Sequence, residues 1–379
     1  MASTRVTIDA VPLLVRSAGV KTYLYYWIQH LRKASLGVDI SLFPFLQGEP
    51  YPLNHEGSIA GPLDTRARVG LLYLLNLFPN DISSWLDPHV DVFHTCKLLN
   101  PPHRAKLTAT IHDFTCWLMP EMHTPANVAA DKQFAEHILK RADALIAVSE
   151  ATRSDAVRIL NLSPAKIRVI HHGVADMFFS VTPEDAEAVR TRHGLHRPYL
   201  LFVGTIEPRK NLDLLLNAYR GLPSPIRNEF DLVLAGSPGW AQSEIMARLR
   251  EPAPGIRYLG YISEEDLPGL VAGATAFVYP SLYEGFGLPV IQAMAAGTPV
   301  ITSSVSALPE TAGGAALLID PRSEADLRCA IEDIVTSPSR RAELINLGRG
   351  NARRFSWSEC ARQSLQFFED VVGGCSVCR

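Results

Sequence analysis

The sequence has few cysteines, no long apolar run and no excess of basic residues. Its six cysteines are scattered over 379 residues, which fits a reducing compartment better than a disulfide framework. No apolar stretch reaches the ~20 residues of a membrane-spanning helix, and the amino terminus, with a single early arginine, is a poor signal peptide. The formal net charge of -3, without any basic run, argues against nucleic acid as a partner. These absences predict a folded cytoplasmic protein.

Motifs for metal ions and for nucleoside triphosphates are also missing. No Asp-x-Asp pair occurs in the chain. Cys375 and Cys378 form a Cys-x-x-Cys pair, but no second pair or histidine is near them, so neither a metal site nor a redox role is expected. A Walker A motif requires a glycine directly followed by a lysine, but Val20 separates Gly19 from Lys21. A P-loop is therefore rejected.

Strand-like segments alternate with helix-like segments in the first half of the chain. The whole chain has 47% hydrophobic and 20% charged residues, which is typical of a folded protein, and its 379 residues suit two domains. The predicted strands are Arg5–Ala10, Val38–Phe43, Val90–His94, Leu107–Ile111, Ala144–Val148 and Ile167–His171. This alternation predicts a parallel sheet wound on both faces, with functional residues at the carboxyl ends of its strands.

The same pattern restarts at Tyr199. The strands predicted there are Tyr199–Thr205, Asp231–Ser237, Ile256–Tyr261, Thr275–Tyr279 and Pro299–Thr302. The polar stretch 182–198 is predicted to include the linker between the domains. A last helix, from about Ser356 to Val372, is expected to pack across the domain junction.

The stretch from Tyr283 to Ile301 has the features of an anion site. It follows a buried strand, Pro289 suits the first turn of a helix, and Gly297 suits its left-handed end. Free backbone amides and the helix dipole favour an anion at such a helix start. Gly285 and Gly287 allow a ligand to approach the backbone closely. The Glu284 carboxylate, next to these amides in the chain, can accept hydrogen bonds from hydroxyls, so the combination suits a nucleotide sugar.

The most apolar segment is Val69–Phe78, which is too short to span a membrane. It is predicted to be a buried helix. The alternative is a helix that lies on a membrane surface, with Arg66 and Arg68 at its edge.

Taken together, the ordered motifs resemble the retaining glycosyltransferases of the GT-B fold, family 4 (glycosyl transferases group 1). The segments that carry this resemblance extend over nearly the whole chain: Ala18–Tyr23, Thr110–Asp113, Val148–Thr152, Val169–Val174, Phe202–Leu212, Leu232–Gly236 and Glu284–Pro289. The resemblance implies an α/β protein with two facing, doubly wound Rossmann-like domains and a cleft between them. The acceptor-side domain would cover residues 1–178, the donor-side domain 179–355, and the helix with its tail 356–379.

The resemblance also implies the chemistry. The enzyme would be a hexosyltransferase that moves mannose or glucose, with retention, from GDP-mannose or UDP-glucose to a sugar, glycolipid or polysaccharide acceptor. It would need no metal and no further cofactor, because Arg209 and Lys210 would neutralise the diphosphate. Glu284 would bind hydroxyls of the donor sugar, and His112 would contact that sugar near its reacting carbon. The expected location is cytoplasmic, with peripheral contact at the inner face of the membrane as the alternative.

The remaining donor contacts follow from the same resemblance. They are Gly19, Gly204, Thr205, Tyr261, Ile262, Gly285, Phe286, Gly287, Leu288 and Gln292. Gln292 stands where the family usually has a second glutamate, and a glutamine carbonyl can still accept a hydrogen bond from ribose. This departure leaves two alternatives open: a non-catalytic regulatory subunit that binds a nucleotide sugar, and a nucleotide-sugar epimerase.

Overall fold

The computed structural model describes residues 4–34, 37–46, 53–77, 89–239, 243–251 and 253–374. Cys375 and Cys378 lie outside these residues. The chain divides into two compact units. Unit 1 contains residues 1–118, 125–173 and 356–379, and unit 2 contains residues 119–124 and 174–355.

Unit 1 is built on a six-stranded parallel sheet. Its strands are β1 (Thr4–Asp9), β2 (Val38–Phe43), β3 (Val92–Thr95), β4 (Lys106–Ile111), β5 (Ala144–Ala147) and β6 (Ile167–Val169). Their spatial order is β2-β1-β3-β4-β5-β6. The central strands β3 and β5 are buried along their whole length, as expected for a sheet that is covered on both faces.

The helices of unit 1 cover this sheet. They are α1 (Gly19–Ala34), α2 (Pro62–Leu77), α3 (Thr115–Leu118), α4 (Pro125–Phe134), α5 (Glu150–Leu160) and, at the end of the chain, α15 (Trp357–Val372). Helix α1 buries Tyr23, Leu24, Trp27, Ile28 and Leu31, which recur at the spacing of one helix face. A short π-helix at Ala135–Leu139 continues α4.

Unit 2 repeats the architecture. Its strands are β7 (Tyr199–Val203), β8 (Asp231–Ala235), β9 (Ile256–Gly260), β10 (Ala276–Tyr279), β11 (Val300–Ser303) and β12 (Leu317–Ile319), in the parallel order β12-β11-β10-β7-β8-β9. Its helices are α6 (Pro183–Arg192), α7 (Leu212–Arg220), α8 (Ser224–Glu229), α9 (Ser243–Arg250), α10 (Leu267–Ala272), α11 (Leu288–Ala295), α12 (Leu308–Ala312), α13 (Glu324–Thr336) and α14 (Pro338–Ala352). The prediction of two Rossmann-like domains is therefore confirmed.

The last helix packs within unit 1 against α1, β1 and β3. Trp27 Nε1 donates a hydrogen bond to Ser364 Oγ at 2.9 Å, and Arg168 pairs with Asp370 at 2.6 Å. Gly173 lies so close to the start of α15 that a Cβ atom there would come within 2.1 Å of the Trp357 amide nitrogen. A glycine is therefore required at 173 for steric reasons.

Two sequence predictions about local structure are wrong. The stretch predicted to include the linker instead forms α6, which Thr182 and Asp185 cap reciprocally, and the division between the units falls after Gly173. Residues 69–77 of the apolar segment lie in helix α2, in which only Leu72 and Leu75 are buried, and Phe78 lies outside the described residues. Among the described residues, no helix is long and apolar enough to cross a membrane.

Candidate functional site

The loop after β7 brings two cations and two carboxylates together in unit 2. Pro208–Lys210 form a single 3-10 turn, so Arg209 and Lys210 project next to each other before α7 begins. Arg209 Nη2 contacts Glu207 Oε1 at 2.6 Å and Arg209 Nη1 contacts Glu284 Oε2 at 2.6 Å. Lys210 Nζ donates to the other oxygen of Glu284 at 2.7 Å. We call Glu207, Arg209, Lys210 and Glu284 the charged cluster.

Asn211 fixes the end of this turn. Its left-handed φ of 60° stops the turn and starts α7. Its side-chain amide donates to the carbonyls of Pro280 and Pro321 at 3.0 and 2.8 Å. The Leu282 amide in turn donates to the Arg209 carbonyl at 2.9 Å. The loops that carry the cations and Glu284 are thus tied together through backbone atoms.

Two members of the charged cluster, Lys210 and Glu284, are buried and ionised. Burial alone would raise the pKa of the Glu284 carboxyl, but the charges of Arg209 and Lys210 and their hydrogen bonds outweigh it and hold that pKa at about 2. Burial and Arg209 act to lower the pKa of the Lys210 ammonium, yet the nearby oxygens, those of Glu284 foremost, outweigh them and raise it. Both groups therefore carry full charge at neutral pH, in a setting where charges act strongly on a ligand.

The glycine loop after Glu284 leads directly into α11. Gly287, at the N-cap, has a φ of 103°, and a Cβ atom there would lie 2.9 Å from Leu308 Cδ2. Conformation and packing both require glycine at this position. Ser306 Oγ accepts a hydrogen bond from the Glu284 amide at 2.9 Å, and Thr311 Oγ1 donates to the Phe286 carbonyl. The start of α11 is therefore held rigidly beside the charged cluster, as an anion site requires.

Gly204 and Thr205 lie where the loops after β7 and β8 meet. Gly236 has a φ of 139°, and a Cβ atom there would overlap the Gly204 carbonyl oxygen at 1.9 Å. The methyl group of Thr205 would be 2.8 Å from a Cβ at Gly239. These two loops pass each other at backbone contact, which only glycine permits.

The predicted contacts to the base and ribose lie elsewhere in unit 2. Tyr261 and Ile262 follow β9, and Tyr261 is exposed whereas Ile262 is buried. Gln292 is half-buried on α11, in the turn after Leu288. Its side chain forms no hydrogen bond with any of the described residues, so none of these holds the amide that replaces the usual carboxylate.

His112 lies in unit 1, directly after β4. Its Nε2 atom is buried without a hydrogen-bond partner among the described residues. The ring meets the edge of Tyr23 at 5.2 Å between centroids, and Tyr23 itself stacks on His172 at 4.6 Å. Burial lowers the pKa of the His112 imidazole to about 4. The structure thus holds a neutral histidine with an unused nitrogen at a strand end.

Gly19 begins α1 in the same unit. It is exposed, its φ is not left-handed, and a Cβ atom there would meet nothing within 4 Å. Neither packing nor conformation therefore explains the glycine, whereas close approach by a ligand would. Lys21, two residues on, is buried and donates to the carbonyls of Asn54 and Gly57 at 3.1 and 2.7 Å. It is structural, in line with the rejected P-loop.

The predicted site residues thus fall in both units. Within unit 2, Arg209, Lys210 and Glu284 are in direct contact, while His112 and Gly19 belong to unit 1. Sequence reasoning missed two members of the unit 2 site, Glu207 and Tyr279. Tyr279 Oη accepts a hydrogen bond from Lys210 Nζ at 2.7 Å. In the sequence, the only indication of a role for Tyr279 is its polar hydroxyl group at the end of an apolar strand.

Two family models together match most of the chain. The model described as glycosyltransferase family 4 matches residues 17–177, and that for glycosyl transferases group 1 matches residues 184–351. The O-antigen chain mannosyltransferase B of Escherichia coli is 35% identical over 273 residues, which are 71% of this chain and 71% of the relative. The chain belongs to the group 1 glycosyltransferases. The predicted family and the prediction of a glycosyltransferase enzyme are both confirmed.

Solved structures confirm the GT-B fold. The sucrose-phosphate synthase of Thermosynechococcus elongatus has a TM-score of 0.75 at 23% identity and covers 98% of this chain and 100% of its own. The Anabaena protein HepE, in complex with UDP-glucose, has a TM-score of 0.71 at 17% identity and covers 97% of this chain and 99% of its own. At these identities the likeness concerns the fold alone.

Proposed function

We propose that this glycosyltransferase moves a hexose from a nucleoside-diphosphate sugar to a sugar, glycolipid or polysaccharide acceptor, with retention at the anomeric carbon. Mannose is the preferred sugar because the Escherichia coli relative is named a mannosyltransferase, and glucose is second because HepE was solved with UDP-glucose. The observation that carries the proposal is the buried contact of Arg209, Lys210 and Glu284 beside the start of α11.

The charged cluster suits the bond that must break. The bond between the anomeric carbon and the phosphate oxygen leaves its electron pair on the diphosphate. Arg209, Lys210 and the amides of 285–288 would stabilise that charge. Neither a metal ion nor a further cofactor is needed in this scheme, since the cations supply the charge that a metal supplies elsewhere. Glu284, ionised, would accept hydrogen bonds from the sugar hydroxyls.

Retention is proposed to come from front-face substitution. The acceptor hydroxyl would attack the anomeric carbon on the face from which the diphosphate leaves, and a phosphate oxygen would take the acceptor's proton. No protein nucleophile is required. His112 is neutral, and its Nε2 atom has no hydrogen-bond partner in the described part of the chain; it would contact the transferred sugar near the reacting carbon. Gly19 would allow phosphate to approach α1.

The donor proposal is tested by incubating the purified protein with a panel of nucleotide sugars in EDTA and following release of GDP or UDP. We expect one donor to be consumed, and both Lys210→Ala and Glu284→Ala to lose at least ~100-fold in kcat/KM. Lys106→Ala, at an exposed ion pair with Asp143, is the matched control and should retain full activity. An unfolding temperature for each variant separates lost chemistry from lost structure.

Other outcomes of this assay would decide between the alternatives. Donor binding without turnover, with every acceptor class tried, would favour a regulatory subunit. An epimerised sugar formed without acceptor would favour an epimerase. If no donor binds, the assignment of the charged cluster falls. Methylation analysis and NMR of the product would show whether the anomeric configuration is retained.

We also propose peripheral contact with the inner face of the membrane through α2. Leu63, Tyr73 and Leu77 project from it with 81%, 68% and 78% of their surface exposed, and Arg66 is exposed on the same helix. Apolar and basic side chains on one helix suit an anionic lipid surface. In cosedimentation with phosphatidylglycerol vesicles, Leu63→Glu and Leu77→Glu should each lower the bound fraction, whereas Leu347→Glu, in unit 2, should not. Equal binding by all variants would contradict this placement.

A further inference from the structure

The Lys210 ammonium has three N–H groups, and two of them form short hydrogen bonds. One goes to Glu284 Oε1 and one to Tyr279 Oη, both at 2.7 Å. Glu207 Oε1 is 3.8 Å away, which is an ion pair but too long for a hydrogen bond. Over the described part of the chain, the third N–H group meets no acceptor. It is therefore available to a ligand.

Tyr279 is fixed by the central strands of the sheet in unit 2. It is the last residue of β10, between β7 and β11 in the middle of the sheet. Its ring stacks on Phe202 and Phe277 at 5.7 and 5.8 Å between centroids. Thr302 Oγ1 donates to its backbone carbonyl at 2.9 Å. The phenol oxygen therefore has a position set by the core of unit 2.

The two partners of Lys210 act differently on its charge. A carboxylate holds an ammonium but also neutralises it, so Glu284 competes with any anionic ligand for the lysine. A neutral phenol oxygen fixes the direction of the N–H groups and leaves the positive charge intact. A lysine on a flexible stem gains most from such a fixed acceptor, because its point charge has no preferred direction of its own.

We propose that Tyr279 is a positioning residue, which orients the Lys210 ammonium so that its remaining N–H group points to the diphosphate of the donor. This inference rests on the proposed function of the charged cluster. The phenol accepts from Lys210, and an ammonium cannot accept in return, so the phenol hydrogen is not used in this contact. Burial and the Glu284 charge raise the pKa of Tyr279 to about 12. The phenol consequently stays neutral over the whole working range of pH.

Tyr279→Phe tests this proposal, because it removes the acceptor and keeps the stacked ring. Tyr219→Phe is the matched control: Tyr219 is equally buried in unit 2 and donates to the Phe230 carbonyl at 2.8 Å, away from the charged cluster. GDP and UDP binding would be measured by calorimetry, together with KM and kcat for the donor. We expect Tyr279→Phe to weaken binding about tenfold, the loss of one hydrogen bond to a charged group, and Tyr219→Phe to change it less than twofold.

A double-mutant cycle separates positioning from a general structural effect. In a Lys210→Ala background, Tyr279→Phe should change GDP or UDP affinity less than twofold, because it acts through the lysine. A full tenfold loss in that background, or equal losses for Tyr279→Phe and Tyr219→Phe, would overturn the proposal and leave the proposed function standing. If the unmodified protein binds neither GDP nor UDP, the proposed function falls and this inference with it.

Discussion

At the residue scale, the cations of the charged cluster are already balanced by carboxylates before a donor arrives. Arg209 and Lys210 face Glu207 and Glu284 within a buried site. A buried ion pair contributes less to stability than its short distances suggest, because both charges lose their hydration. The ion pairs instead hold charged side chains in fixed positions where a diphosphate can bind to them.

The ionisation of Glu284 makes stability depend on pH. The folded-state pKa of its carboxyl, about 2, is below the ordinary value of 4.5. Its contribution is therefore fully present above pH 4.5 and is lost as the pH falls towards 2. Urea unfolding of the wild type and of Glu284→Gln should show a stability difference that shrinks over this window. A difference that stays constant from pH 5 to pH 2.5 would contradict the assignment.

His112 should act as a neutral imidazole. Burial lowers the pKa of its ring to about 4, so the ring is uncharged above that pH. We expect its NMR signals to titrate near pH 4, and kcat to show no histidine limb near pH 6.5. His112→Ala should reduce kcat by ~100-fold, whereas His137→Ala, on an exposed surface of unit 1, should not change it. A full-activity His112→Ala enzyme would remove this residue from the site.

At the element scale, the sequence predicts most strands. It does not predict a short edge strand, or which face of a helix its neighbours bury. The strand β12 was missed because it has three residues, with Leu318 exposed at the sheet edge. The polar stretch predicted to include the linker forms α6 instead, because Thr182 and Asp185 cap a helix in it. Helix α2 was recognised as a helix, but which face it buries depends on neighbours that no local pattern specifies.

The contact between Gly173 and α15 gives a test at this scale. A Cβ atom at 173 would overlap the backbone of Trp357 and Ser356 at 2.1 and 2.6 Å. Gly173→Ala should therefore lower the free energy of unfolding by at least ~2 kcal/mol, since backbone cannot move aside cheaply. Gly70→Ala, at an exposed site in α2 with nothing within 4 Å, should instead raise it by about 0.5 kcal/mol. Chemical denaturation of both variants measures the difference.

At the scale of the whole molecule, the fold class is predictable from the sequence. The assignment of separate chain segments to each unit, such as residues 119–124 to unit 2, is less so. Alternating strands and helices predict two Rossmann-like units, as found. The site motifs placed Arg209, Lys210 and Glu284 at strand ends, and the structure brings them into contact. Glu207 and Tyr279 were not predicted, because their roles depend on distances across the sheet that spacing along the chain does not reveal.

The assignment of the last helix to unit 1 predicts a separation of stability from binding. Phe368 is fully buried on α15 and meets Trp27 and His94 at 6.2 and 5.7 Å between ring centroids. Phe368→Ala should cost about 3 to 5 kcal/mol of unfolding free energy, while Val372→Ala, on the same helix but exposed, should cost little. GDP and UDP affinities of both variants should stay within about twofold of the wild type. The charged cluster lies in unit 2, and Trp27, which Phe368 contacts, is about two helical turns along α1 from the proposed phosphate contact Gly19. A changed affinity would contradict this separation.

The hydrogen bond from Trp27 to Ser364 joins residues 337 positions apart, so it cannot form until Ser364 has been synthesised. A ribosome releases residues 174–355, all but a short segment of unit 2, before α15 exists. Helix α1 of unit 1 therefore leaves the exit tunnel hundreds of residues before α15, the helix that packs on Trp27. Until residues 357–372 have been synthesised, the face of α1 that packs on α15 stays uncovered, and transiently exposed apolar surface of this kind favours aggregation.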